Sequence, residues 1–374
     1  MLNTLTGSQK RNILLGVVLL LVVGGIYVLN DSETGLAGKA EIITETNTET
    51  AAEKIAKYPR ARELVDPAGF LNTPEGTTIE EFIGKKVILV DFWTYSCINC
   101  QRTQPYLNAW NEEYADDGLL IIGVHTPEFE FEKEIENVRR AVEEEGIEYP
   151  VVLDNDYATW AAYQNRYWPR KYLIDIDGFI VYDHIGEGAY DETEAKIREL
   201  LQERADRLGE DLVLSDMTAP QGVEEVAGIL PRTPEIYFGA WRNEEYFGNG
   251  DGSVEGEGNY TLPKTLTPNT FNLEGKWRIE REFVSSGQVG AKIVLPYRAQ
   301  KVFMVAHSKE GARVQVLIDG RPVGDRAGVD VHDGVVDIKD EKLYRLIEAN
   351  AYHTGTLELI VEEGEIEAFT FTFG

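Results

Sequence analysis

The only two cysteines of the chain stand as Cys97-Ile98-Asn99-Cys100, just after a run of β-formers, Lys86-Val87-Ile88-Leu89-Val90-Asp91-Phe92. The run reads as a buried strand, and a helical pattern runs from the first cysteine to about Tyr114, so the chain must turn from strand to helix at the pair. Cys97 then lies at a helix N-terminus. Unpaired backbone N–H groups and the helix dipole favour a thiolate there, lowering a thiol pKa from about 8.5 to roughly 3.5–7.5. Cys100 falls one turn later on the same side, more shielded and placed to attack a mixed disulfide on Cys97. Asp91 interrupts the strand between Val90 and Phe92, where no cap is needed. The expectation is a buried acid whose pKa rises toward that of a working base.

Other uses of the cysteine pair fit less well. A zinc site needs two more ligands, and His125, His184, His307, His332 and His353 are scattered without metal-ligand spacing, so no metal is expected. A structural disulfide across so short a loop constrains the unfolded chain little. His125 follows the apolar strand Leu119–Val124. It is a candidate for tuning a thiolate or meeting a partner, weighed against a loop histidine with a satisfied hydrogen bond.

Asp91-Phe92-Trp93 before Cys-X-X-Cys, with Pro105 five residues after the second cysteine, resembles thioredoxin. Downstream, Trp168-Pro169-Arg170-Lys171-Tyr172-Leu173-Ile174-Asp175 followed by Asp177-Gly178 resembles the cis-proline strand and hairpin of that fold. The resemblance implies a redox-active Cys97–Cys100 disulfide and an Asp91 that helps deprotonate the resolving thiol. It also implies a Trp93 packed beside the dithiol and a Pro169 facing Cys97. Ile98, Asn99 and Trp168 stand at positions that adjust potential and substrate fit. An extra unit after the strand Leu119–Val124, the charged helical stretch 128–145 and a short strand 150–153, is similar to the TlpA and ResA branch and to the soluble C-terminal part of DipZ proteins. Relatives of that branch often carry a glutamate where this chain has Thr103. Helices are expected over 156–167 and 191–207, with an antiparallel pair, 171–174 and 179–185, between them.

The formal charge of −29 makes nucleic acid a poor partner. Residues Ile13–Leu29 are nearly unbroken apolar positions, about 26 Å as a helix. Lys10 and Arg11 precede them, which predicts a single-pass anchor with a cytoplasmic N-terminus and extracytoplasmic domains; a cleaved signal peptide is the competing reading. The expected organisation is stub and anchor over 1–30, tether over 31–60, an α/β thioredoxin-like domain with a helical insertion over 61–208, linker over 209–232, and a second domain over 233–374. In that last domain eight or so short alternating strands point to an all-β sandwich or jelly roll. Its order after a thioredoxin-like domain, and its ending, resemble DipZ, whose last domain is similar to carbohydrate-binding modules. Tyr237, Phe238, Trp241, Tyr246 and Phe247 are either sugar-stacking rings or staples to a core.

Together these features predict a membrane-anchored thiol-disulfide oxidoreductase that needs no cofactor. It would reduce disulfides of exported proteins and be recharged by a CcdA-like membrane electron donor. A thiol peroxidase and a non-catalytic glycan- or partner-binding protein are the alternatives. Thr94 fits the peroxidase pattern, but Val90 stands where its proline should be.

Overall fold

The computed structural model describes residues 51–374 apart from 219, 221, 222, 225–231 and 252. The expected anchor and most of the expected tether lie outside the described residues, among which no helix is long and apolar enough to cross a membrane.

The first domain is built on a six-stranded sheet in the order β1-β4-β3-β2-β5-β6. Its strands are β1 Gly69–Leu71, β2 Val87–Trp93, β3 Leu119–His125, β4 Val151–Leu153, β5 Arg170–Ile174 and β6 Ile180–Ile185. The helices are α1 Ala51–Lys57, α2 Ile98–Tyr114, α3 Ile135–Glu144, α4 Ala158–Ala162 and α5 Tyr190–Leu208. β2 is central, parallel to β3 and antiparallel to β5. Every residue of β2 is buried, which explains its unbroken apolar run: both faces are covered. Because strand side chains alternate, Val87, Leu89 and Trp93 enter one core with Cys100 and Leu107 of α2 and Ile197 of α5. Ile88, Val90 and Phe92 enter the other. Asp91 shares the parity of Leu89 and Trp93, so the strand itself directs it to the cysteine side.

Three sequence expectations need adjustment. The charged stretch 128–145 is helical only over Ile135–Glu144, after a 3-10 turn at Glu130–Lys133. The helix expected over 156–167 is confined to Ala158–Ala162: Tyr157 and Gln164, at φ 59° and 52°, leave the helical region on either side. Within the expected tether, α1 docks on the domain. Lys54, 2% exposed, places its ammonium 2.6 Å from Asp175 and 3.1 Å from Asp177, with Glu203 also bonded.

The second domain comprises β7 Ile236–Tyr237, β8 Gly256–Tyr260, β9 Asn272–Ile279, β10 Val284–Ser286, β11 Lys292–His307, β12 Ala312–Ile318, β13 Arg321–Pro322, β14 Val331–His332, β15 Val335–Ile338, β16 Lys342–Glu363 and β17 Glu367–Phe373. These form one eleven-stranded sheet where two separate sheets were expected. The reason lies in β11 and β16, which pair over nearly their whole length and continue through register shifts at Ala299/Lys301 and Val302/Phe303. Bulges bend a strand without ending its pairing. The first residues of β11 also pair with β9 while its later ones pair with β17, and β17 returns through β10 to β9, so the sheet closes around one core.

Candidate active site

The turn from β2 into α2 presents the dithiol. Cys97 is the N-cap of α2 in extended conformation, φ −82° and ψ 116°, and the backbone N–H of Cys100 donates to its Sγ at 3.3 Å. That contact and the positive end of the helix both favour negative charge on the Cys97 sulfur. Both cysteines are free thiols; Cys97 is half-buried and Cys100 is 3% exposed. Burial, then the hydrogen bond and charge of Cys97, hold the Cys100 thiol well above the usual thiol range. Cys97 is therefore the accessible sulfur, and Cys100 needs a base.

Asp91 is the group placed to serve. It is 1% exposed, and burial pushes its carboxyl up to about 7 against the opposing charge of Lys171. Its Oδ1 makes no hydrogen bond among the described residues, leaving one oxygen able to take a proton. Lys171 lies opposite Asp91 in the β2–β5 register, has no solvent exposure and donates to the carbonyl of Gly186 at 3.2 Å. Burial pulls its pKa down; the charge of Asp91 is the first of the effects opposing this. The sequence reading overlooked Lys171. A lysine inside a strand paired to the buried centre of a sheet was the available signal.

Glu132 was also overlooked. It has no solvent exposure and accepts from Ser96 Oγ at 2.6 Å, the residue just before Cys97, and from the N–H of Phe129 at 3.0 Å. Burial pushes its carboxyl up to about 7, although the bonds from Ser96 and Thr94 draw it down. The loop entering the dithiol is thus pinned by a second buried acid, supplied from the 3-10 turn at Glu130–Lys133.

The remaining predicted residues divide. Trp93 is buried beside the dithiol, edge-on to His125 at 5.1 Å, and fits because residue 123 is glycine: a Cβ there would lie 2.9 Å from its Nε1. His125 itself has no exposure and stacks on Tyr95 at 5.7 Å, and its Nε2 lies 3.4 Å from Thr94 Oγ1. Burial pushes its pKa down to about 3, so the ring is neutral. It packs the loop and offers no surface to a partner. The Trp168–Pro169 bond is cis. Trp168 packs against Trp160 with ring centroids 4.2 Å apart and planes tilted by 38°, donates through Nε1 to the carbonyl of Thr126, and lines a cleft with Cys97 and Asn99.

Ile98 was expected to meet substrate. It is only 3% exposed, packed with Phe129 of the first domain and Phe303, Val305, Leu343 and Phe369 of the second. An apolar residue beside an apolar patch is buried by contact, and here the patch belongs to the other domain. Polar contacts flank this seam. Glu128 accepts from Tyr237 Oη at 2.7 Å and from Arg242 at 2.8 Å. On the other side Glu224 binds Arg102 of α2 at 2.7 Å, Lys301 at 2.7 Å and Arg345 at 3.1 Å. Of the aromatics before the strands, Phe238 and Phe247 belong to the sheet core, and Trp241, 60% exposed, carries Arg281 over its ring at 4.6 Å.

A strand-to-helix dithiol, a buried aspartate beneath it and a cis-proline strand alongside now stand together, and comparison with known proteins agrees. Residues 63–201 match the Redoxin family and residues 233–374 the family described as thioredoxin like C-terminal domain. ResA of Halalkalibacterium halodurans, a thiol-disulfide oxidoreductase, is 34% identical over 133 residues, covering 35% of this chain and 72% of that protein. The chain belongs to the thioredoxin-like redoxin family. The thiol-disulfide oxidoreductase YkuV of Bacillus subtilis is 29% identical over 141 residues, 38% of this chain and 93% of its own. Both domains are spanned by the match to protein DipZ of Mycobacterium tuberculosis, 35% identical over 331 residues, which covers 88% of this chain. The redoxin chain spans 45% of DipZ, a little under half its length.

Proposed function

We propose that this redoxin protein is a thiol-disulfide oxidoreductase that reduces disulfides of exported proteins from the outer face of a membrane. Cys97 thiolate attacks one sulfur of the substrate disulfide, forming a mixed disulfide and expelling the other sulfur as a thiolate. Cys100 gives its proton to Asp91 and attacks Cys97 Sγ, which releases the second substrate thiolate. Two electrons pass to the substrate, and the protein is left as the Cys97–Cys100 disulfide. A membrane electron donor of the CcdA type returns the dithiol. The observation that carries the reading is the asymmetry of the pair: Cys97 faces a cleft, while Cys100 is buried with a raised pKa near a carboxyl poised at about 7. The names of ResA and YkuV support it.

The test is reduction of insulin by the purified chain with dithiothreitol as electron source. Cys97→Ser abolishes turnover, and Cys100→Ser traps a mixed disulfide. Equal rates in the native chain and Cys97→Ser would sink the proposal. The membrane placement rests on the apolar segment Ile13–Leu29. Carbonate extraction of membranes, with protease access to the domains from one side only, tests it.

A further inference from the structure

The second domain alters what can reach Cys97. Its core residues Phe303 and Phe369 cover Ile98, so the flank of the dithiol formed by that side chain is closed. What remains open is a cleft of about 440 Å³ between the domains, with Cys97, Asn99 and Trp168 on one wall and Thr233, Thr370 and Phe373 on the other. A space of this size is in the range of small-ligand sites, about 300–1,000 Å³. It has room for a short stretch of chain.

The charges of the cleft run against those of the protein. The chain carries a formal −29. The cleft is lined by Arg166, Arg232 and Arg242 against Glu128 and Glu235, a balance of three positive and two negative. Glu128 is engaged by Arg242 and by Tyr237 Oη. Arg166 of the first domain and Arg232 at the end of the linker are exposed and make no ion pair within 4 Å among the described residues, although the charge of Arg232 acts on Glu235 and Glu187. Two exposed guanidinium groups, Arg166 with no acidic partner among the described residues and Arg232 close to Glu235, line the same cleft as Cys97 and form a receptor for carboxylates.

We propose that the interdomain cleft selects extended disulfide-bearing segments with carboxylates next to the cysteine, seated on Arg166 and Arg232. This rests on the oxidoreductase reading and names its substrate class. The second domain then acts as the specificity wall of the redox site. It restricts entry to narrow segments, and Arg232, at the end of the linker that leads into it, supplies one of the two cations.

The experiment uses the full chain with three disulfide-linked peptides identical except for Asp, Asn or Lys flanking the cysteine, and with uncharged hydroxyethyl disulfide as reference. The Asp peptide is expected to exceed the Lys peptide in kcat/KM by about tenfold at low ionic strength, the difference lying in KM and shrinking with salt. In Arg166→Glu combined with Arg232→Glu the Asp-to-Lys ratio falls to about one or below. A ratio taken within one variant is insensitive to a general loss of activity. Equal rates for the three peptides, or a ratio unchanged by the double substitution, overturn the proposal while hydroxyethyl disulfide is still reduced. If hydroxyethyl disulfide is not reduced either, the oxidoreductase reading falls and takes this one with it.

Discussion

Asp91 and Lys171 face each other across the β2–β5 register with almost no solvent contact, an acid and a base buried on the Cys100 side of the central sheet. Burial pushes Asp91 from 3.8 up to about 7. The native state therefore holds a proton that the unfolded chain releases above about pH 4. Stability from this group is fully present below pH 4 and is lost as pH rises through 7, by on the order of 4 kcal/mol at about 1.4 kcal/mol per pKa unit. Denaturant unfolding of the reduced protein from pH 4 to 8 should show this decline, and Asp91→Asn should flatten it. A variant with the same slope as the native chain would rule out Asp91 as the source.

The same titration sets the second chemical step. Above pH 7 Asp91 is a carboxylate able to accept the Cys100 proton; below it, it is not. Release of substrate from a pre-formed mixed disulfide on Cys97, followed in single turnover, is expected to accelerate through pH 7. Lys171→Met removes the charge that holds Asp91 down, so the rise moves to higher pH in that variant. An unshifted profile would mean that Lys171 does not act on Asp91.

Much of this arrangement was legible because its signal is local. One strand and one spacing placed Cys97, Cys100 and Asp91, and the resemblance to thioredoxin supplied Trp93 and the adjoining cis-proline strand at Trp168-Pro169. Glu132 was not legible: in Glu128-Phe129-Glu130-Phe131-Glu132 each glutamate reads alike, and only the 3-10 turn decides that the last points inward to Ser96. The expectation of eight or so short strands missed the length of β11 and β16 because residues that bend a strand resemble residues that end one; continued pairing across the bulge is non-local information. The covering of Ile98 depends on residues about 200 to 270 positions away, Phe303 and Phe369, which no window around the dithiol contains.

Glu224 is the charged link between linker, α2 and the second domain. Burial draws its pKa upward, but Arg102 and Lys301 outweigh this and hold it at about 2. Its stabilising contribution is complete above the ordinary 4.5 and is lost as pH falls toward 2. Among the described residues, Arg102, buried on α2, is left with Glu187 at 3.6 Å as its ion-pair partner when Glu224 is neutralised. Glu224→Gln is expected to cost about 3 kcal/mol at pH 7, the scale for breaking a largely buried pair, and much less at pH 2. Urea unfolding at the two pH values measures this, and an equal loss at both would show that charge is not the cause.

Ile98 lies between the two cysteines and is held by the second domain, so loosening that packing should be felt at the seam and at the start of α2 together. Ile98→Ala and Phe369→Ala each remove large buried apolar groups, costing about 2–5 kcal/mol. Because both belong to one cluster, the double variant should lose less than the sum, with a coupling of at least about 0.5 kcal/mol. Hydrogen exchange should show increased opening at Ile98–Gln101 and in β17 in both single variants, since each side chain supports the other domain's backbone. Strict additivity, or faster exchange in β17 alone after Phe369→Ala, would mean that the domains touch at Ile98 without supporting one another. The second domain would then be a neighbour of the dithiol and not part of its scaffold.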